Sequence, residues 1–316
     1  MSTIVTVTLN PALDLSAEVD ELVPYRKLRG QLIALDPGGG GVNVSRVLHR
    51  FGVPTRAVAP VGGVSGQALV AELRREGVPV FPVEATGDTR RSLTIWERST
   101  REHFRILVEG EALAESAWRA CLDAVDERPT AAFVVLSGSL PPAVPATVVR
   151  AFAERARRRG ARFVCDSSGP ALREALGAGA DLIKPSRREL RDLVAPGVAL
   201  EHFEHRRGAR EAVALGARTV VVSLGADGAF MAADDGTEAT FPSPPVVVLS
   251  SVGAGDSMVA GMLVALTRGR PLVEAVRFGV AAGAATCTMH GTEVCRPQDV
   301  ERLDAELAGT SSSEKD

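Results

Sequence analysis

Five short runs of apolar and β-branched residues recur along this chain, and their placement limits the fold more than any other feature. They read TIVTVTL, AAFVVLSGS, ARFVCDSS, DLIKPS and RTVVVSLG. Each is too short for an ordinary helix, and each ends in small polar residues, as buried strands do. Helical patterns lie between them, such as Pro145 to Arg159 and Arg207 to Leu215. Strands alternating with helices predict an α/β fold with a mostly parallel sheet covered on both faces. Ligands of such sheets sit beyond the carboxyl ends of the strands. Most of the polar motif residues considered below fall at those ends.

Two segments break the alternation. One spans Leu15 to Leu35. The other, RRSLTIWERSTREHFRIL from Arg90 to Leu107, alternates apolar and polar residues around a polar turn, as a hairpin does. Together they predict a small sheet projecting from the main domain, suited to act as a lid and to pair with a second copy of the chain. The 316 residues suit one large domain, expected over residues 1–308 with lid segments at about 15–35 and 89–108. No internal repeat or interdomain linker is evident. The polar end GTSSSEKD, residues 309–316, is expected to be disordered.

A net charge of −3 gives no reason to expect a nucleic-acid or membrane partner. The start MSTIVTVTLN lacks the basic and long apolar regions of a signal peptide. Cys121, Cys165, Cys287 and Cys295 show no C-x-x-C spacing, so a cytoplasmic chain with free thiols is expected. The basic residues are almost all arginine; the lysines are Lys27, Lys184 and Lys315. In so biased a chain, a retained lysine can mark a place that needs a compact ammonium.

The stretch SVGAGDSMVAGM puts a Gly-x-Gly bend and an aspartate ahead of an apolar helix. Backbone amides at such a helix start bind anions. A carboxylate there is repelled by the anion unless its task is to accept a proton, which points to phosphoryl transfer with Asp256 as base. A second glycine-rich stretch, DPGGGGVNVSRVLHRFG, lets a ligand approach the backbone closely and then opens an amphipathic helix bearing Val44, Val47, Leu48 and Phe51. Asn43 near its start can bond a sugar hydroxyl or cap the helix. The stretch is neither a Rossmann fingerprint nor a Walker A loop. Asp14, after the first strand, can accept sugar hydroxyls or simply close a turn. The EHFEH stretch reads as a solvated helix face rather than a metal site.

These motifs together resemble the ribokinase-like, phosphofructokinase-B type sugar kinases from Val5 to about Leu303. LSGSLPP, DSSGPAL, VVVSLGADGA and VRFGVAAGAAT place the likeness in the branch acting on fructose 6-phosphate. Relatives acting on fructose 1-phosphate or tagatose 6-phosphate usually carry lysine where this chain has Gly40. The resemblance implies a three-layer ribokinase-like fold with a small β-sheet lid. It implies phosphorylation of the 1-hydroxyl of fructose 6-phosphate by MgATP. Asp256 would be the base, and the Gly253, Ala254 and Gly255 amides the anion hole. Asp14, Gly38, Gly39, Asn43 and Ser139 would hold the sugar, and Lys27, Arg29 and Arg90 its phosphate. Lys184, Ser186, Ser223, Gly225, Gly228 and Gly283 would line the ATP site. Glu189 would serve Mg²⁺, and backbone oxygens near Ser250, Val252, Met289 and Gly291 a monovalent cation such as K⁺. A homodimer through the lid is expected. The alternatives are a tagatose-6-phosphate or fructose-1-phosphate kinase, or a nucleotide-binding regulator without catalysis. Two places depart from the family. Its Asn-x-x-Glu motif reads Ser186-Arg187-Arg188-Glu189, and Ser250-Ser251 stands where relatives often have Asp-Thr.

Overall fold

The computed structural model describes residues 3–127 and 131–313. In the first half of the chain the strands are β1 (Thr3–Val7), β2 (Ala12–Val19), β3 (Gln31–Gly38), β4 (Thr55–Val61), β5 (Val80–Glu84), β6 (Arg90–Glu97) and β7 (Glu102–Leu107). In the second half they are β8 (Ala131–Ser137), β9 (Arg162–Asp166), β10 (Leu182–Ile183), β11 (Thr219–Ser223), β12 (Ala229–Ala233) and β13 (Glu238–Phe241). The first helices are α1 (Gly40–Arg50), α2 (Gly63–Arg75), α3 (Glu115–Asp126), α4 (Val148–Arg158) and α5 (Gly169–Gly177). The remaining helices are α6 (Arg187–Val194), α7 (His205–Ala214), α8 (Ala254–Thr267), α9 (Leu272–Cys287) and α10 (Pro297–Ser313).

Nine strands form one sheet in the order β13-β12-β11-β10-β9-β8-β1-β4-β5. All neighbours are parallel except β11-β12 and β12-β13. Both faces are buried, and the pleat sorts the side chains between them. Val5, Val134, Cys165 and Val222 enter one core with α3 to α7. Ile4, Val135, Val164 and Val221 enter the other with α1, α8, α9 and α10. Helices therefore cover both faces, as the alternation predicts. Burial on both faces also explains why the strands read as continuous apolar runs. Helix α8 shows no marked amphipathic stripe because Ser257 to Ala265 are all buried.

A separate sheet of four strands has the order β3-β2-β6-β7. β6 and β7 form the expected hairpin. The strands of the first lid segment begin and end outside Leu15 to Leu35, since β2 starts at Ala12 and β3 ends at Gly38. Asp14 consequently lies inside β2, opposite Asp36 and Ser92, and not in a turn after β1. Pro11 hides this in the sequence, because proline before a strand looks like a turn. One face of the small sheet packs on α2 through Leu13, Leu69 and Leu73. Leu32, Ile33, Phe104, Ile106 and Leu107 are exposed.

One smaller reading is corrected. The EHFEH stretch is not one helix face: a short 3₁₀ turn ends at His202, Phe203 is buried, and α7 starts at His205. Helix α10 continues to Ser313, into the stretch expected to be disordered, and Lys315 lies outside the described residues. All four cysteines are free thiols. No described helix is long and apolar enough to cross a membrane.

Candidate active site

The site forms where the carboxyl ends of β8 to β11 meet the starts of α1 and α8. Gly253 has φ 76°, a left-handed conformation that glycine adopts without strain, and it caps α8. The N–H groups of Gly253 and Gly255 have no partner among the described residues, whereas that of Ala254 makes a long contact of 3.4 Å to the Ser251 carbonyl. The helix start therefore offers donors and a positive dipole end to an anion.

Asp256 stands in the first turn of α8, half-buried and facing Asn43 across 2.8 Å. Asn43 donates its amide to the carboxylate, and Gly39 rather than Asn43 is the N-cap of α1. Burial first, then the Asp166 carboxylate, pushes the Asp256 pKa up to about 7. The Asn43 amide and the Lys184 ammonium pull in the other direction. A carboxyl near neutrality is suited to general base catalysis at physiological pH.

Lys184 follows β10 and is 5% exposed. Its Nζ lies 3.2 Å from Asp166 Oδ1 at the end of β9. Burial works against the ammonium, but Asp166 and then Glu189 outweigh it, so its pKa stands above the ordinary lysine value. Nζ also lies 3.1 Å from where a Cβ on Gly255 would be, which puts the cation beside the amide loop. Burial pushes the Asp166 carboxyl up, opposed by Lys184. Asp166 was missed in the sequence because an aspartate at a strand end is common. The seven-residue motif DSSGPAL, which it opens, carried the only signal.

The sugar-side residues collect at the inner end of the small sheet. Gly38 lies against Asp14 so closely that a Cβ would come 2.1 Å from Oδ2. Asp14 Oδ1 is buried without a hydrogen-bond partner. Such an orphan costs about 1–3 kcal/mol and calls for a ligand or water. Burial raises the Asp14 pKa, with the Ser92 hydroxyl, Arg105 and Arg90 opposing. Arg90 donates to the Asn10 carbonyl at 3.2 Å, and Asn10 donates its amide to the Ser139 hydroxyl at 3.1 Å. Asn10 and Ser139 also line a cleft of about 650 Å³. Arg105 on β7 acts electrostatically on Asp14, Arg90 and Asp256. In sequence it was one arginine among many in an alternating strand.

Lys27 and Arg29 do not join this cluster. They lie in the exposed loop between β2 and β3, beyond the end where Glu18 pairs with Gln31. Gly38 and Arg90 both pair with Ala12 at the opposite end, roughly 20 Å of strand away.

Among the expected nucleotide residues, Ser223 pairs with Ser186 across adjacent strand ends, and Gly225 and Gly228 form the left-handed turn that follows. Ser186 caps α6 in a reciprocal box: its hydroxyl accepts from Glu189 N–H, and Glu189 Oε2 accepts from Ser186 N–H. Glu189 keeps Oε1 for other partners. Gly283 lies in α9, where a Cβ would come 3.1 Å from the Ala254 carbonyl. Its smallness serves the packing of α9 behind the amide loop. The Ser250 hydroxyl donates to the Gly291 carbonyl at 2.8 Å and accepts from Val252 N–H. This joins the 250–252 and 289–291 segments, and their hydroxyl and carbonyl oxygens are the hard donors a monovalent cation takes. No group of three or more His, Cys, Asp or Glu side chains among the described residues could hold a metal ion alone.

A near-neutral carboxylate, free helix-start amides and a paired lysine are groups that phosphoryl transfer can use. Residues 4–299 match the pfkB family of carbohydrate kinases. The chain is 41% identical over 302 residues to an ATP-dependent 6-phosphofructokinase isozyme 2 of Mycobacterium tuberculosis (strain ATCC 25618 / H37Rv), covering 95% of this chain and 88% of that one. It resembles the structure of phosphofructokinase-2 from Escherichia coli in complex with potassium, with TM-score 0.91, 39% identity, and 98% and 100% of the two chains covered. The same enzyme in complex with fructose-6-phosphate gives TM-score 0.89 at 38% identity, again covering 98% and 100%. The chain belongs to the pfkB family and is a carbohydrate kinase.

Proposed function

We propose that the protein is an ATP-dependent 6-phosphofructokinase, converting fructose 6-phosphate to fructose 1,6-bisphosphate. The observation that carries this reading is Asp256, poised near neutrality at the mouth of the amide loop. Asp256 takes the proton of the 1-hydroxyl as that oxygen attacks the γ-phosphorus of ATP. The bond to the ADP oxygen breaks in line, and the Gly253 and Gly255 amides with the Lys184 ammonium meet the charge spread over the transferring group. Asn43 aims the carboxylate. Asp14 and Ser139 hold sugar hydroxyls, and Arg90 with Arg105 meets the 6-phosphate. Ser223, Gly225 and Gly228 line the nucleotide side. Glu189 and metal-bound water would hold Mg²⁺, which neutralises phosphate charge when bound. Ser250, Val252, Met289 and Gly291 would hold K⁺.

Gly40 favours fructose 6-phosphate over the isomeric substrates. A Cβ there would come 2.2 Å from the Ser137 hydroxyl oxygen and 2.7 Å from Gly138 N, so the lysine usual in the other branches has no room. The exposed apolar residues of the small sheet support a homodimer through that sheet. Lys27 and Arg29, remote from their own site, would then be free to serve the partner's. An ADP-release assay over fructose 6-phosphate, fructose 1-phosphate, tagatose 6-phosphate and fructose tests the reading. The highest kcat/KM is expected for fructose 6-phosphate. A higher value for either other phosphosugar would overturn the substrate, and no turnover of any would overturn the activity.

A further inference from the structure

Among the described residues Arg46 is the largest side chain buried to less than 2% exposure, and a buried guanidinium must be held by many partners or not at all. Its Nε and Nη2 grip the Glu76 carboxylate at 2.8 and 2.7 Å, at the end of α2. Nη2 also reaches Asp36 Oδ1 on β3 at 3.3 Å. Nη1 donates to the Pro37 carbonyl of β3 and to the Thr292 carbonyl, both at 3.2 Å. Thr292 in turn donates its hydroxyl to Asp36 Oδ2 at 2.7 Å, so the loop after α9 and the inner end of the small sheet close on one cation. The remaining contact runs from Nη1 to Asn43 Oδ1 at 3.4 Å.

That last contact has a chemical consequence. The two ends of an asparagine amide are a donor and an acceptor, and Arg46 can only donate. With Oδ1 facing Arg46, Nδ2 is the end presented to Asp256. The reverse orientation would set a carbonyl oxygen against a carboxylate. We propose that Arg46 is a positioning residue for the reaction: it fixes the Asn43 amide that aims Asp256, and it ties this orientation to the Thr292 loop and to β3 of the small sheet. The inference rests on Asp256 acting as base. Movement of the small sheet or of the 289–292 loop would thus be felt at the base through one guanidinium.

The groups facing Asp256 are Asp166 from β9, Lys184 after β10, Arg105 from β7 and Asn43 from α1. Of these only Asn43 touches Arg46, so the amide is the route by which an Arg46 change reaches the base. The Asn43 hydrogen bond favours the ionised carboxylate and holds its pKa down. Loss of that bond must raise it, and the acid limb of the kcat profile must move to higher pH.

The test compares full-length wild type, Arg46→Lys, Glu76→Gln and Asp256→Asn, with kcat, both KM values and thermal midpoint measured from pH 5.5 to 9. Lysine keeps the charge but cannot span the fork. Arg46→Lys is expected to lower kcat about tenfold, leave KM for ATP within twofold, and shift the acid limb upward by half a unit or more. Glu76→Gln, which loosens the grip from outside the site, is expected to shift the limb in the same direction by less, and stands in if Arg46→Lys does not fold. A lower thermal midpoint with kcat and acid limb unchanged would make Arg46 a purely structural residue and overturn the proposal. The Asp256→Asn arm separates this from the base assignment: if that variant stays active, the base reading fails on its own account.

Discussion

The two sheets of this molecule solve opposite problems. The nine-stranded sheet hides both faces under helices, and its strand ends carry Asp166, Lys184 and Ser223 in a fixed frame. The four-stranded sheet covers one face with α2 and leaves Phe104, Ile106 and Leu107 in solvent. Chemistry that needs atoms held to tenths of an ångström is placed on the first. On the proposed function, capture of a charged sugar, which requires an opening and a closing, would fall to the second. The difference teaches that rigidity and access are divided between elements rather than averaged over the domain.

The largest expected effect tests the rigid half. Asp256→Asn should lower kcat by three or more orders of magnitude, since it removes both proton acceptance and charge. In the wild type, activity should fall as pH drops below about 7, where Asp256 takes up its proton. The stability sign is opposite. The raised pKa means that the folded state binds this proton more tightly than the unfolded chain, so its contribution is present below the ordinary carboxylate range and is lost as pH rises through about 7. Asparagine does not titrate, so the variant should melt no lower than wild type at pH 8, by differential scanning calorimetry. A variant with a tenth of wild-type turnover would remove Asp256 as base.

The next effect tests the smaller, half-covered sheet. Arg90→Ala should raise KM for fructose 6-phosphate by about 2–4 kcal/mol of lost charge-assisted binding, with KM for ATP little changed. Equal rates on fructose and fructose 6-phosphate in steady-state assays would show that the small sheet holds no phosphate. Smaller again is Ile106→Glu on its exposed face, half of whose surface is open in the single chain at 51%. Light scattering at micromolar concentration should show dimer for wild type and a shift toward monomer for the variant. A wild type that is monomeric throughout would leave the apolar face without this partner. The smallest effect lies back in the rigid half, where Ser186→Ala should cost about 1 kcal/mol of unfolding free energy through loss of the α6 cap, read by urea denaturation.

How much of this could be read from the chain follows the same division. The nine-stranded sheet was legible because burial on both faces writes itself as short apolar runs. The place of Asp256 in the first turn of a helix was legible because Gly-x-Gly before an apolar run marks such a start. Pairing register was not. Whether Lys27 and Arg29 lie near Arg90 depends on which end of β2 each strand meets, and the residue types do not encode that end. Arg105 and Asp166 were missed for a related reason: each is an ordinary residue for its local pattern, and only the crossing of distant segments makes it part of the site. The departure at Ser186 is now intelligible, because serine with Glu189 makes a full capping box.

The strand order has a consequence for how the enzyme comes into being during synthesis. β1 lies between β4 and β8, and from β8 the sheet then extends outward in chain order to β13. A ribosome releasing the chain from its amino end can therefore add strands one at a time to a growing edge. The helices α8, α9 and α10 that seal the second face, and Asp256 with them, emerge after the last strand. A nascent chain arrested before Ser250 would have every strand of the sheet but neither the α8 amides nor Asp256, so on the proposed reading its site stays incomplete until the helices that close the second face have followed.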